Sequence, residues 1–116
     1  AGGILDVLKL ASMAEACGAA LAPHNPLGPI SRAACLQIDA ASPNFLIQEH
    51  PVTADLSDLG QGLLKTPFSV KDGFIDVPRA PGLGIEVDEE EMMKRSYAGD
   101  WSTPIVYHGD GSVADW

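Results

Sequence analysis

Ala19-Ala20-Leu21-Ala22-Pro23-His24-Asn25-Pro26-Leu27-Gly28-Pro29-Ile30 is the stretch that decides how the chain folds. The apolar run Ala19 to Ala22 has the length of a short buried strand. It ends at Pro23 and Pro26, which lack backbone donors and force a loop. Gly28-Pro29 then opens a helix, because proline suits the first helical turn. The apolar face of that helix is Ile30, Ala33, Ala34, Ile38 and Ala41, and Ser42-Pro43 ends it. Working outward, Ile4, Val7, Leu8, Ala11 and Ala14 recur at three- and four-residue steps, which predicts an amphipathic helix over 4–17 stopped by Gly18. On the other side, Phe45-Leu46-Ile47 reads as a second apolar strand that delivers Gln48, Glu49 and His50 at its end.

Residues 4–50 therefore alternate helix, strand, helix, strand. Apolar strands alternating with helices belong to a parallel sheet covered by helices, an α/β layer. In such layers chemistry gathers at the carboxyl ends of the strands. His24 and Glu49 both fall there, on neighbouring elements. A histidine is suited to general base work, although a single loop histidine more often bonds to backbone. A carboxylate directly after an apolar run either lines the mouth of a barrel or is a costly core charge. For Glu49 the two readings balance.

The second half differs in character. Residues 51–66 are mixed and polar, with a short helix expected near Leu56–Leu64. Asp72-Gly73 between Phe68–Lys71 and Phe74–Val77 predicts a two-residue hairpin. Asp88 with Glu91 three positions later has the spacing of a capping box, so a helix is expected over roughly 89–97. The tail carries Trp101 and Trp116 without a clear period.

The 116 residues include 7 Lys and Arg against 16 Asp and Glu, a net charge of −9 that argues against nucleic acid as a partner. No apolar run has the length of a membrane span. The N-terminal stretch lacks a basic region and is interrupted by Asp6, Lys9 and Glu15, so it does not read as a signal peptide, and a cytoplasmic location is expected. Cys17 and Cys35, both in helix-like apolar stretches, are read as reduced core thiols. His50 and His108 have no ligand at metal-binding spacing. The acidic run Glu86, Asp88, Glu89, Glu90, Glu91 suits a helix N-terminus better than a metal. Gly82-Leu83-Gly84 lacks the third glycine of a dinucleotide fingerprint, and Asp110-Gly111-Ser112 lacks the alternating ligands of a calcium loop.

Ala22 to Ile30, with Ala33-Ala34-Cys35-Leu36-Gln37, resembles the D-galactonate dehydratases in the mandelate racemase-like branch of the enolase superfamily. Further matches are Asn44 through Glu49, Pro81 through Asp88, and the ending Ser112-Val113-Ala114-Asp115-Trp116. The resemblance implies a modified (β/α)7β TIM barrel with an α+β capping domain. On it, 1–66 would be the last part of the barrel and 67–116 a segment associated with the cap. It implies that His24 abstracts the proton α to a sugar-acid carboxylate, and that Glu49 stabilises the enediolate. Loss of water then gives a 2-keto-3-deoxy acid. The same superfamily pattern pairs a Lys or His base with Mg2+. The three carboxylate metal ligands, the Asp that partners the base and the histidine acid would all lie before Ala1, so none of the residues here is assigned to metal. The chain is thus expected to be the C-terminal third of an enzyme, inactive alone, and to self-associate to cover strand edges. The alternatives are another aldonate dehydratase or racemase of the superfamily, or a small acidic binding domain.

Overall fold

Helix α1, Ile4–Ala16, begins after Gly3 and ends one residue earlier than its pattern predicts. It closes in a Schellman arrangement. Gly18, at φ 71°, donates to Glu15 O at 2.9 Å, and Ala19 N reaches Ala14 O at 2.8 Å. The structure is a computed structural model that describes residues 1–51, 59–96, 99 and 105–114.

Only Ala11 of α1 is fully buried, and Leu5, Leu10 and Met13 are exposed. Asn44 ties the helix down, its Nδ2 donating to Ala11 O and Ala19 O at 3.0 Å each. Helix α2, Pro29–Ala41, is the centre of the molecule. Gly28 at φ 111° sets its entry and Pro29 occupies the first turn. Ser42 closes it, Oγ donating to Ile38 O at 2.8 Å. The expected face is only partly right: Ala33 and Ile38 are buried, whereas Ile30 and Ala41 are exposed. Cys35, Leu36, Arg32 and Asp39 are buried as well, because neighbours press on α2 from more than one side.

The two predicted strands meet in parallel, with a single bridge between Leu21 and Phe45. Leu21 N donates to Asn44 O at 2.8 Å and Leu46 N to Leu21 O at 2.9 Å. Pro23 has no N–H, so the ladder cannot continue through it. Gln48 takes over with its side chain, Nε2 donating to Pro23 O at 3.0 Å.

Leu59 is in 3-10 helical conformation and residues 60–63 form turns instead of continuing the expected helix, with Leu63 N and Leu64 N both on Gly60 O. The rest of the helix expected near Leu56–Leu64, like Trp101 and Trp116, lies outside the described residues. Strands β1, Val70–Lys71, and β2, Phe74–Ile75, form the hairpin the Asp-Gly pair predicts. Asp72 and Gly73 both have positive φ, 52° and 82°, as a two-residue turn of this twist requires. The loop after it is held to α2 by Gln37, whose Nε2 donates to Pro78 O at 2.9 Å. Leu64 pairs antiparallel with Val87, and helix α3, Glu89–Lys94, follows. Asp88 caps α3 by accepting from Glu91 N at 3.1 Å, so the capping signal holds while the helix is shorter than predicted. Among the described residues no helix is long and apolar enough to cross a membrane.

Candidate functional site

The bridge between Leu21 and Phe45 fixes what lies beyond it. His24 follows Leu21 by three positions and Glu49 follows Phe45 by four, so both emerge at the same end of the parallel pair. There His24 Nδ1 stands 2.8 Å from Glu49 Oε2. The same oxygen accepts the backbone N–H of Asn25 at 2.6 Å. The imidazole is open, its side chain 81% exposed, while the Glu49 side chain is 43% exposed. The two residues singled out in the sequence are thus in direct contact.

Two further residues frame the pair, and the hydrophobic pattern did not point to either. Asn25 is completely buried, and neither atom of its side-chain amide has a partner among the described residues. Arg32 is completely buried on α2, with Nη1 3.5 Å from Glu49 O. The available signal was a charged side chain set into an otherwise apolar helix face. For Asn25 it was the position itself: between Pro23 and Pro26, only His24 and Asn25 have an N–H to give.

Below this end, α2, residues 45–50 and the hairpin enclose an open apolar cleft of about 460 Å³, lined by Leu36, Asp39, Phe45, His50 and Phe74 among others. His24 and Glu49 do not line it. Asp39, 8% exposed, has neither oxygen paired among the described residues, and burial pushes its carboxyl up to about 6. Burial also pushes the Cys35 thiol up, with Asp39 adding to it, so Cys35 behaves as a core group rather than a nucleophile. Cys17, expected in the core, is exposed because it caps the end of the lightly covered α1.

The remaining candidates do not join the pair. His50 faces the cleft, and His108 closes a turn by donating its N–H to Ser112 O at 2.8 Å. In the acidic run, Asp88 caps α3 and binds Lys65 Nζ at 3.0 Å, which together with the Glu91 N–H holds its carboxyl below the usual range. Among the described residues no three His, Cys, Asp or Glu side chains converge to hold a metal ion. The magnesium implied by the resemblance therefore finds no ligand set among the described residues.

Residues 1–91 match the family described as enolase C-terminal domain-like. The D-galactonate dehydratase of Ralstonia nicotianae is 48% identical over the whole of this chain, which spans 32% of that relative's length. A mandelate racemase/muconate lactonizing enzyme from Sulfitobacter sp. superposes with a TM-score of 0.75 at 42% identity, over 86% of this chain and 24% of that one. An enolase from Agrobacterium radiobacter, described as a galactarate dehydratase with bound Na and L-malate, superposes with a TM-score of 0.71 at 28% identity, over 90% of this chain and 29% of that one.

Proposed function

The chain belongs to the enolase C-terminal domain-like family, and from that membership we propose that it serves in a sugar-acid dehydratase acting on D-galactonate. The observation that carries the reading is the 48% identity to a D-galactonate dehydratase along the full length of this chain. The contact between His24 and Glu49 at the carboxyl end of the parallel pair supports it. The L-malate in one structural neighbour is a hydroxy acid of the same chemical class.

In this reading His24 takes the proton α to the substrate carboxylate. Such a proton is weakly acidic, and a positioned base contributes roughly 10²–10⁴-fold. The electrons left behind spread onto the carboxylate as an enediolate, the charge that Glu49 is assigned to stabilise. The β-hydroxyl then leaves as water by taking a proton from a general acid supplied by residues other than those described, and the enol product takes up a proton on carbon to become the 2-keto-3-deoxy acid. Residues 1–66 would supply the end of a barrel, and 67–116 the segment that meets a capping domain. A cytoplasmic setting, self-association and a Mg2+ ion held by residues other than those described go with the reading.

The test is a chimera. Residues 1–116 replace the matching segment of the R. nicotianae dehydratase, and α-proton exchange and dehydration are measured on a panel of aldonates. Activity highest on D-galactonate is expected. A folded chimera silent on every aldonate would refute the reading.

A further inference from the structure

The cleft between α2, residues 45–50 and the hairpin holds two kinds of group that are costly to leave as they stand. Phe45, Ile47 and Phe74 line it and are 38%, 62% and 78% exposed. Such side chains stabilise a fold only where something covers them. Asp39 lines it as well, 8% exposed, and neither of its oxygens has a hydrogen-bond partner among the described residues. A buried carboxylate is ordinarily paired, and an unpaired one lowers stability. The other charged or titratable groups that line the cleft are Arg32 and His50. Arg32 stands seven positions before Asp39 on α2, about 10 Å along the helix axis. Its Nη1 is 3.5 Å from Glu49 O instead. Cys35, close to Asp39 on the same helix, is a thiol and supplies no positive charge.

We propose that this cleft is a docking surface for an apolar segment from the remainder of a dehydratase, and that the segment carries a basic side chain that pairs with Asp39. This rests on the reading of the chain as part of such an enzyme and gives the cleft a role in it apart from the reaction. The chain spans 32% of the R. nicotianae dehydratase, so the relative has chain beyond the matched part to supply the segment. A second copy of this chain is a poorer occupant, because two bodies of net charge −9 repel. The basic side chain follows from Asp39. A wholly apolar cover would bury an unpaired charge more deeply, which is strongly unfavourable. A cover that brings a cation among apolar groups shields the aromatic rings and balances the carboxylate together.

The experiment places Asp39→Asn and Phe74→Ser in the 116-residue chain and in the chimera with the R. nicotianae dehydratase. Urea midpoints are recorded at about pH 7.5, where Asp39 is ionised. In the 116-residue chain Asp39→Asn should raise the midpoint, because an unpaired buried charge is removed, and Phe74→Ser should leave it nearly unchanged. In the chimera both should lower it, Asp39→Asn by roughly 1 M, since one partner of a buried ion pair is lost. A cover without a basic group gives the opposite sign for Asp39→Asn, because it buries the charge further. A midpoint raised or unchanged by Asp39→Asn in the chimera therefore overturns the proposal, and so does Phe74→Ser without effect there. A chimera that does not fold overturns it too, since the cleft then fails to accept the segment. An Asp39→Asn chimera that alone fails to fold is the expected loss in its extreme form. Midpoints need no substrate, so a folded chimera that shows the reversal but no turnover refutes the dehydratase reading and leaves the docking in place.

Discussion

Asn25 and Glu49, 24 positions apart in the chain, are joined by a bond of 2.6 Å from the backbone N–H of one to the carboxylate of the other. It links the loop after one extended segment to the end of its parallel neighbour. A hydrogen bond to a charged group is worth about 1.5–3 kcal/mol, so its loss should speed exchange of the Asn25 amide by roughly 10- to 100-fold. Amide exchange by NMR on the wild type and Glu49→Ala measures this. An unchanged rate would mean that the bond contributes nothing in solution.

His24→Asn should remove the proposed base without disturbing the fold, because the side chain is 81% exposed. In the chimera, α-proton exchange in deuterated water is expected to fall by at least ~100-fold. Far-UV circular dichroism should stay the same. Exchange at the original rate would assign the base elsewhere.

Asp39 makes stability depend on pH in a defined direction. Its carboxyl rises from an ordinary 3.8 to about 6 in the folded chain because burial disfavours the charge. Between those values the folded state holds a proton that the unfolded state has released, so stability falls as pH rises through the window. Above about 6 both states are ionised and the full penalty is present. Asp39→Asn should therefore be more stable than the wild type at pH 7, and the difference should shrink on acidification toward pH 4. Urea midpoints across that range test it. A constant difference would contradict the assignment.

Asp88 acts in the opposite sense. Its carboxyl is held low by the Glu91 N–H and by Lys65, so its contribution is present above the ordinary carboxylate range and is lost as pH falls through its lowered value. Asp88→Ala should expose the Glu91 amide to faster exchange and fray α3, while amides of α2 keep their rates. Equal acceleration in both helices would show that the cap supports more than its own helix.

Gly84→Ala and Gly18→Ala separate backbone strain from crowding. The φ values are nearly equal, 74° and 71°, so both substitutions carry the same left-handed penalty. A Cβ on Gly84 would lie 2.5 Å from Pro78 Cβ and 3.0 Å from its carbonyl carbon, whereas one on Gly18 meets nothing within 4 Å. Gly84→Ala should thus lose about 1–3 kcal/mol more than Gly18→Ala by chemical denaturation. Equal losses would mean that the Pro78 loop yields freely.

The elements with local causes were legible in the sequence. Gly28-Pro29 and Ser42-Pro43 bracket α2, Asp72-Gly73 makes the hairpin turn, and Asp88 caps α3, each through an interaction within a few residues. The meeting of His24 and Glu49 was legible too, because parallel apolar runs deliver their ends to one place. Which atoms meet was not, since that depends on a register between segments 24 residues apart. The burial of Arg32 and Asp39 also escaped the pattern. A charged residue on a helix reads as solvent-facing unless its neighbours are known, and α2 is pressed from several directions. Cys17 failed for the converse reason: its stretch is apolar, yet little covers α1.

Asn44 does two jobs with one residue. Its backbone carbonyl receives Leu21 N in the parallel bridge, and its side chain clasps Ala11 and Ala19. Helix α1 packs on α2 and buries Ala11, while Leu5, Leu10 and Met13 turn outward. The bridge and the helix therefore share one residue as a common anchor. Because His24 hangs from the far end of that bridge, Asn44 gives α1 a continuous hydrogen-bonded connection to the segment that carries the imidazole toward its carboxylate.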